Sequence, residues 1–139
     1  MDNANRTRIE ESFAAQSMMC TLGAKLYSID LAQAVITAPI LPGALQQQGF
    51  GHAGLTFSIG DSAAGYAALT TLPLDSEVVT AEIKINLLAP AKGDFLRATG
   101  RVVKPGKRLI VVTAEVHAIA AGEETLVAVL LGTMVPVPV

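Results

Sequence analysis

The stretch His52-Ala53-Gly54-Leu55-Thr56-Phe57-Ser58-Ile59-Gly60-Asp61-Ser62-Ala63-Ala64-Gly65-Tyr66-Ala67-Ala68-Leu69-Thr70-Thr71 decides how this chain folds. It is rich in Ala and other small residues, and Pro73 stands just beyond it, so residues 52–71 read as one helix. Gly60 and Gly65 lie inside it, each costing about 1 kcal/mol relative to Ala. A helix that tolerates both is expected to run close against a neighbour, most simply a sheet wrapped around it.

Downstream, the sequence is strand after strand. Residues 79–87 alternate, apolar at odd positions and polar at even ones, which predicts a half-buried strand with one consistent inner face. Residues 95–103 and 109–119 follow as a hairpin about Lys104-Pro105-Gly106-Lys107. Residues 123–135 form the last strand, and the run Leu126-Val127-Ala128-Val129-Leu130-Leu131 is apolar on both faces, as in a central strand or a subunit interface. Upstream, Ile9, Phe13 and Ala14 have amphipathic spacing, predicting a helix over residues 5–16. Residues 24–30 and 32–40 read as two strands joined at Asp30. Pro39, Pro42 and Gly43 then open a polar loop, Gln46-Gln47-Gln48-Gly49. One helix rich in small residues on one curved antiparallel sheet is an α+β arrangement.

At 139 residues the chain has the length of one domain, residues 1–139, with residues 1–17 as an N-terminal helical segment. Its residues are 51% hydrophobic and 16% charged, with a mean hydropathy of +0.48. A monomer this small hides such a surface poorly, so a homo-oligomer is expected. No apolar run reaches the length of a membrane span, and the opening MDNANRTRIEESF lacks the apolar core of a signal peptide. The lone Cys20 fits a reducing compartment, with cytoplasm as the expected location. Seven of the ten Lys and Arg residues fall between Lys84 and Arg108, where Asp94 is the only acid. That window suits an anionic ligand or a solvated surface. Nucleic acid fits less well, because the net charge is −2 and six aromatic residues without Trp offer little to stack on bases.

Between Asp30 and Asp75, Asp61 is the only formally charged residue. It stands mid-helix among small apolar neighbours, where desolvating a carboxylate is expensive and Asp gains nothing from helix propensity. The isolation points to a general base or nucleophile, or else to an Asp that caps backbone or faces solvent. His52, at the helix start, reads as a base or as a simple hydrogen-bonding residue. His117 receives no role. Two histidines without clustered carboxylates predict no metal site. Ser62 lacks the strand–elbow–helix setting of a serine nucleophile, and Cys20 reads as a small apolar residue.

Residues 51–68, with His52-Ala53-Gly54 at the helix start and Asp61 nine residues after the His, resemble the phenylacetate-degradation type of hotdog thioesterase. The family shows His-Gly-Gly there. Residues 79–91, closing on Leu88-Ala89-Pro90-Ala91, resemble its third strand, and residues 100–108 and Leu131-Gly132-Thr133-Met134 continue the likeness. The resemblance covers nearly the whole chain beyond the first helix. It implies the hotdog fold, with a curved antiparallel sheet of five to six strands around the long helix. It also implies hydrolysis of an acyl-coenzyme A thioester at a site between subunits.

By the same resemblance, Asp61 activates water or attacks the carbonyl, and the Ala53 N–H serves the oxyanion. Gln46 takes the place of a family Asn, with Gln47 or Gln48 as alternatives, and Thr80 orients water. Ala53 departs from the family Gly but keeps the N–H. His52 joins the catalytic set. Phe50, Gly54, Phe57 and Tyr66 are expected to line the substrate pocket, and Arg101, Lys104, Lys107 and Arg108 to lie near the phosphates of coenzyme A. No separate cofactor is implied, because coenzyme A is part of an aryl- or medium-chain acyl-CoA substrate. The expected assembly is a dimer at least, and a tetramer from the family. A non-catalytic acyl-CoA-binding module and a hydratase or dehydratase acting through His52 and Asp61 stand as alternatives.

Overall fold

A computed structural model describes all 139 residues. Helix α1 (Asn3–Ala15) and a short α2 (Ser17–Thr21) precede strands β1 (Lys25–Asp30) and β2 (Gln33–Pro39). A 3-10 turn (Pro42–Ala44) leads to helix α3 (Ala53–Leu69), after which come β3 (Ser76–Leu87), β4 (Phe95–Lys104), β5 (Ile110–Ala120) and β6 (Glu123–Pro138). All six strands join one antiparallel sheet in the order β1-β2-β4-β5-β6-β3. The sheet curls around α3, and the chain has the hotdog fold.

Small residues let the helix sink into the sheet. Ala63, Ala64, Ala67, Ala68 and Leu69 are fully buried. A Cβ on Gly100 of β4 would stand 2.3 Å from the backbone of Ala63, so only glycine permits this approach. The two helical glycines divide in role. A Cβ at Gly60 would meet Leu130 at 2.9 Å, whereas at Gly65 the nearest atoms are at 3.9 Å. Close packing therefore explains Gly60 only.

Helix α3 ends at Leu69, short of the reach set by Pro73. Thr70 and Thr71 each donate to the carbonyl three residues back, at 2.7 Å. Helix α1 then closes this end. Asn5 Nδ2 donates to Thr70 O at 2.9 Å, and the Arg8 guanidinium donates to the carbonyls of Leu69, Leu72, Pro73 and Ser76 at 2.7–3.1 Å. The Leu69 and Thr70 carbonyls belong to the end of α3, where a helix leaves its last carbonyls without intrahelical partners. The others belong to the turn that follows, and a cation there also meets the negative end of the helix dipole. Burial holds the Arg8 pKa below its ordinary value, opposed by the nearby charges of Glu77 and Asp2.

One expectation about β3 fails. Its alternation does not give a single inner face, because the pairing with β6 shifts between Thr80 and Glu82. This bulge at Ala81 reverses the phase. Before it, Val78 packs on the core while Val79 is 50% exposed; after it, Ile83 and Ile85 pack inward. No helix is long and apolar enough to cross a membrane.

Candidate active site

Helix α3 holds two groups with chemical potential, and they open into different clefts. At its start His52 is the cap, with Nδ1 accepting from the Gly54 N–H at 2.8 Å. That bond leaves the ring proton on Nε2. The amides of Leu55 and Thr56 bond to the His52 carbonyl. In this first turn the Ala53 N–H alone finds no acceptor in the chain. It lines a cleft of about 300 Å³ walled by Gln46, Phe50, Thr56 and the Ala89-Pro90-Ala91 segment. A bond from Gly51 N to Ala91 O, at 2.8 Å, ties that segment to the helix entrance.

Gln46 shapes the approach to α3. Its Oε1 accepts from the backbone amides of Gln48 and Phe50, and its backbone N donates to Phe50 O at 2.9 Å. Gln46 and Gln48 line the cleft, whereas Gln47 does not.

Asp61 lies in the second cleft, of about 270 Å³. Thr80 Oγ1 donates to Asp61 Oδ1 at 2.7 Å and sits 3.3 Å from Met134 Sδ. The bulge at Ala81 makes this contact, since uninterrupted alternation from Ile83 and Ile85 would turn Thr80 outward. Gly65 borders the same cleft, and its missing side chain keeps space beside the carboxylate. The far wall is polar. Gln16 Nε2 donates to the Tyr66 hydroxyl at 2.7 Å, and Ser12 Oγ lies 3.1 Å from it. Glu77 completes this wall.

The expected site residues therefore fall into three groups. His52, Ala53, Gln46 and Phe50 gather at the first cleft, and Asp61, Thr80 and Tyr66 at the second. Within one chain His52 and Asp61 do not meet, because nine helical residues span about 13 Å. Gly54 lines neither cleft and serves the cap, and Phe57 packs against the core. Arg101, Lys104, Lys107 and Arg108 form the third group, at the opposite end of α3 from Ala53. Two bonds fix that placement: Val102 N donates to Ala32 O, and Ala32 N donates to the Thr70 hydroxyl at the end of α3. Sequence reading did not single out Ser12, Gln16 or Glu77. The partner of Ser12 and Gln16 is Tyr66, 54 and 50 residues away, so no local pattern marks them.

The sequence profile of the thioesterase superfamily matches residues 48–124, a span holding α3, the clefts' shared helix and strands β3 to β5. The chain belongs to this superfamily. A thioesterase family protein from Silicibacter pomeroyi superposes with a TM-score of 0.95 at 36% identity, covering 97% of this chain and 99% of that one. The E. coli PaaI protein of the phenylacetic acid degradation operon gives 0.85 at 24% identity over 96% of this chain and 94% of that one, a likeness of fold. A Saccharolobus solfataricus protein named as a candidate esterase is 42% identical over 60% of this chain and 53% of its own length. The chain thus spans about half of that relative.

Proposed function

We propose that the protein hydrolyses acyl-CoA thioesters, with Asp61 as general base and the Ala53 N–H as oxyanion donor. The contact of Thr80 with Asp61 carries the reading. It holds the one carboxylate of α3 by a single oxygen, Oδ1, and leaves Oδ2 to take a proton from water. The water oxygen attacks the thioester carbon, and negative charge develops on the carbonyl oxygen. An amide fixed at a helix N-terminus, with no competing acceptor, stabilises that charge. The C–S bond then breaks, the thiolate leaves with the proton that Asp61 held, and the free acid forms. His52 acts through its cap, which orients the Ala53 amide, and Gln46 acts through the loop that leads to it.

Eight residues separate Ala53 from Asp61, about 12 Å along the helix, so one carbonyl group cannot meet both in one chain. A second copy with its α3 antiparallel brings the Ala53 of one subunit to the Asp61 of the other, and each dimer has two such sites. Strand β3 supports this assembly. It is twelve residues long, pairs only with β6 and exposes Val79 and Leu87. An open edge of that length calls for a partner. Exposed Leu131, Val103 and Leu109 favour a further pairing of dimers into a tetramer. In this reading residues 1–139 act as one domain, in the cytoplasm.

In this reading the acyl group, aryl or medium-chain, lies in the Asp61 cleft beside Tyr66. Product analysis tests the reaction class. Hydrolysis gives free acid and one thiol per substrate consumed, and hydration of the acyl chain without thiol would contradict the proposal.

A further inference from the structure

The four basic residues of the β4–β5 hairpin stand about 24 Å along α3 from Ala53 in the same chain, whereas Lys92 lies at the rim of the Ala53 cleft. We propose that Lys92 is the cation that holds the phosphates of the leaving group. This assignment rests on the thioesterase reading given above.

Lys92 directly follows Ala89-Pro90-Ala91, the wall of the Ala53 cleft. Its backbone N donates to Pro90 O at 3.0 Å, and the bond between Gly51 and Ala91 pins the neighbouring residue to the entrance of α3. The Lys92 ammonium lies 5.9 Å from the ring centroid of Phe50, itself part of the cleft. Attraction to the ring face keeps the charge at the mouth without neutralising it. Beyond Ala89 and Pro90 a second groove of about 360 Å³ begins, sharing those two residues and lined also by Lys92 and Gly93. A thioester whose carbonyl sits at the Ala53 N–H sends its leaving arm over this shared rim. Lys92 is the only cation lining either cavity.

The charge is also free. Arg97 with Glu124 is the one ion pair of the chain. Asp94, two residues from Lys92, accepts from the Ala121 amide at 3.0 Å. Glu123 is the one acid lining the groove. Sequence separates Lys92 from the hairpin cluster by nothing but position, and the fold turns that position into the rim of the cleft.

The test compares one acyl group carried on coenzyme A and on pantetheine, which shares the arm and thiol but lacks every phosphate. Lys92→Ala is expected to lower the ratio of kcat/KM for the two substrates, CoA over pantetheine, by about tenfold, the size of one charge-assisted contact. Lys92→Arg is expected to keep most of the ratio, and added salt to lower it in the native protein more than in Lys92→Ala. An equal loss on both substrates would overturn the assignment, since it would mean that Lys92 only supports the cleft. Failure of the native protein to hydrolyse either thioester would overturn the thioesterase reading itself.

Discussion

Thr80 Oγ1 donates to Asp61 Oδ1 at 2.7 Å, joining the middle of α3 to the edge strand β3 through a bulge one residue further on. The bond fixes the carboxylate's rotation and decides which oxygen faces a substrate. A hydroxyl in this role acts on the orientation of the base and little on substrate binding.

Thr80→Val keeps the shape of the side chain and removes the donor. We expect kcat on a good acyl-CoA to fall about 10- to 100-fold, the scale of a misdirected catalytic group, with KM little changed. Thr80→Ser should recover most of the loss. A change confined to KM would place Thr80 in substrate binding instead.

Ala53→Pro deletes the proposed oxyanion donor at the first helical position, where proline is well tolerated. Its kcat should drop by about 10²- to 10³-fold. Co-expressing Ala53→Pro with Asp61→Asn, on differently tagged chains, tests whether the site is shared. Random dimers regain about a quarter of native activity, because half are mixed and each mixed dimer has one intact site. Activity no greater than the average of the two parents would confine each site to one chain.

The Arg8 fork bears on stability. Arg8→Ala removes four hydrogen bonds to the carbonyls of Leu69, Leu72, Pro73 and Ser76, around the end of α3, a loss of about 2–3 kcal/mol by the usual worth of charged hydrogen bonds. Thermal melting should fall by roughly 5–10 °C for a chain of this size. Arg8→Lys should recover little, since an ammonium cannot reproduce the planar fork. An unchanged Tm would show that water replaces the guanidinium without cost.

Much of this was legible in the sequence because it rests on local signals. The small-residue run fixes α3, period-two patterns mark the strands, and the isolation of Asp61 draws attention to a carboxylate that the fold sets in a cleft. Other features were hidden because distant parts of the chain create them. The bulge at Ala81 carries no Gly or Pro and comes from the register with β6, so the alternation of residues 79–87 misassigned the face of Val79. Likewise the basic window from Lys84 to Arg108 reads as one cluster, yet the sheet sends its hairpin to the far end of α3 and leaves Lys92 beside Phe50. The polar wall of Ser12, Gln16 and Tyr66 needs α1 and α3 to pack together before it exists.

The most direct measurement is thiol release from a panel of acyl-CoAs by the native protein and by Asp61→Asn, with the oligomer checked in both. Asn keeps the size of the side chain and still accepts from Thr80, but it cannot take a proton. The account predicts release of thiol by the native protein on at least one aryl- or medium-chain acyl-CoA, and a rate at least about 100-fold lower in the variant. Equal release by both proteins would contradict the role of Asp61 as base.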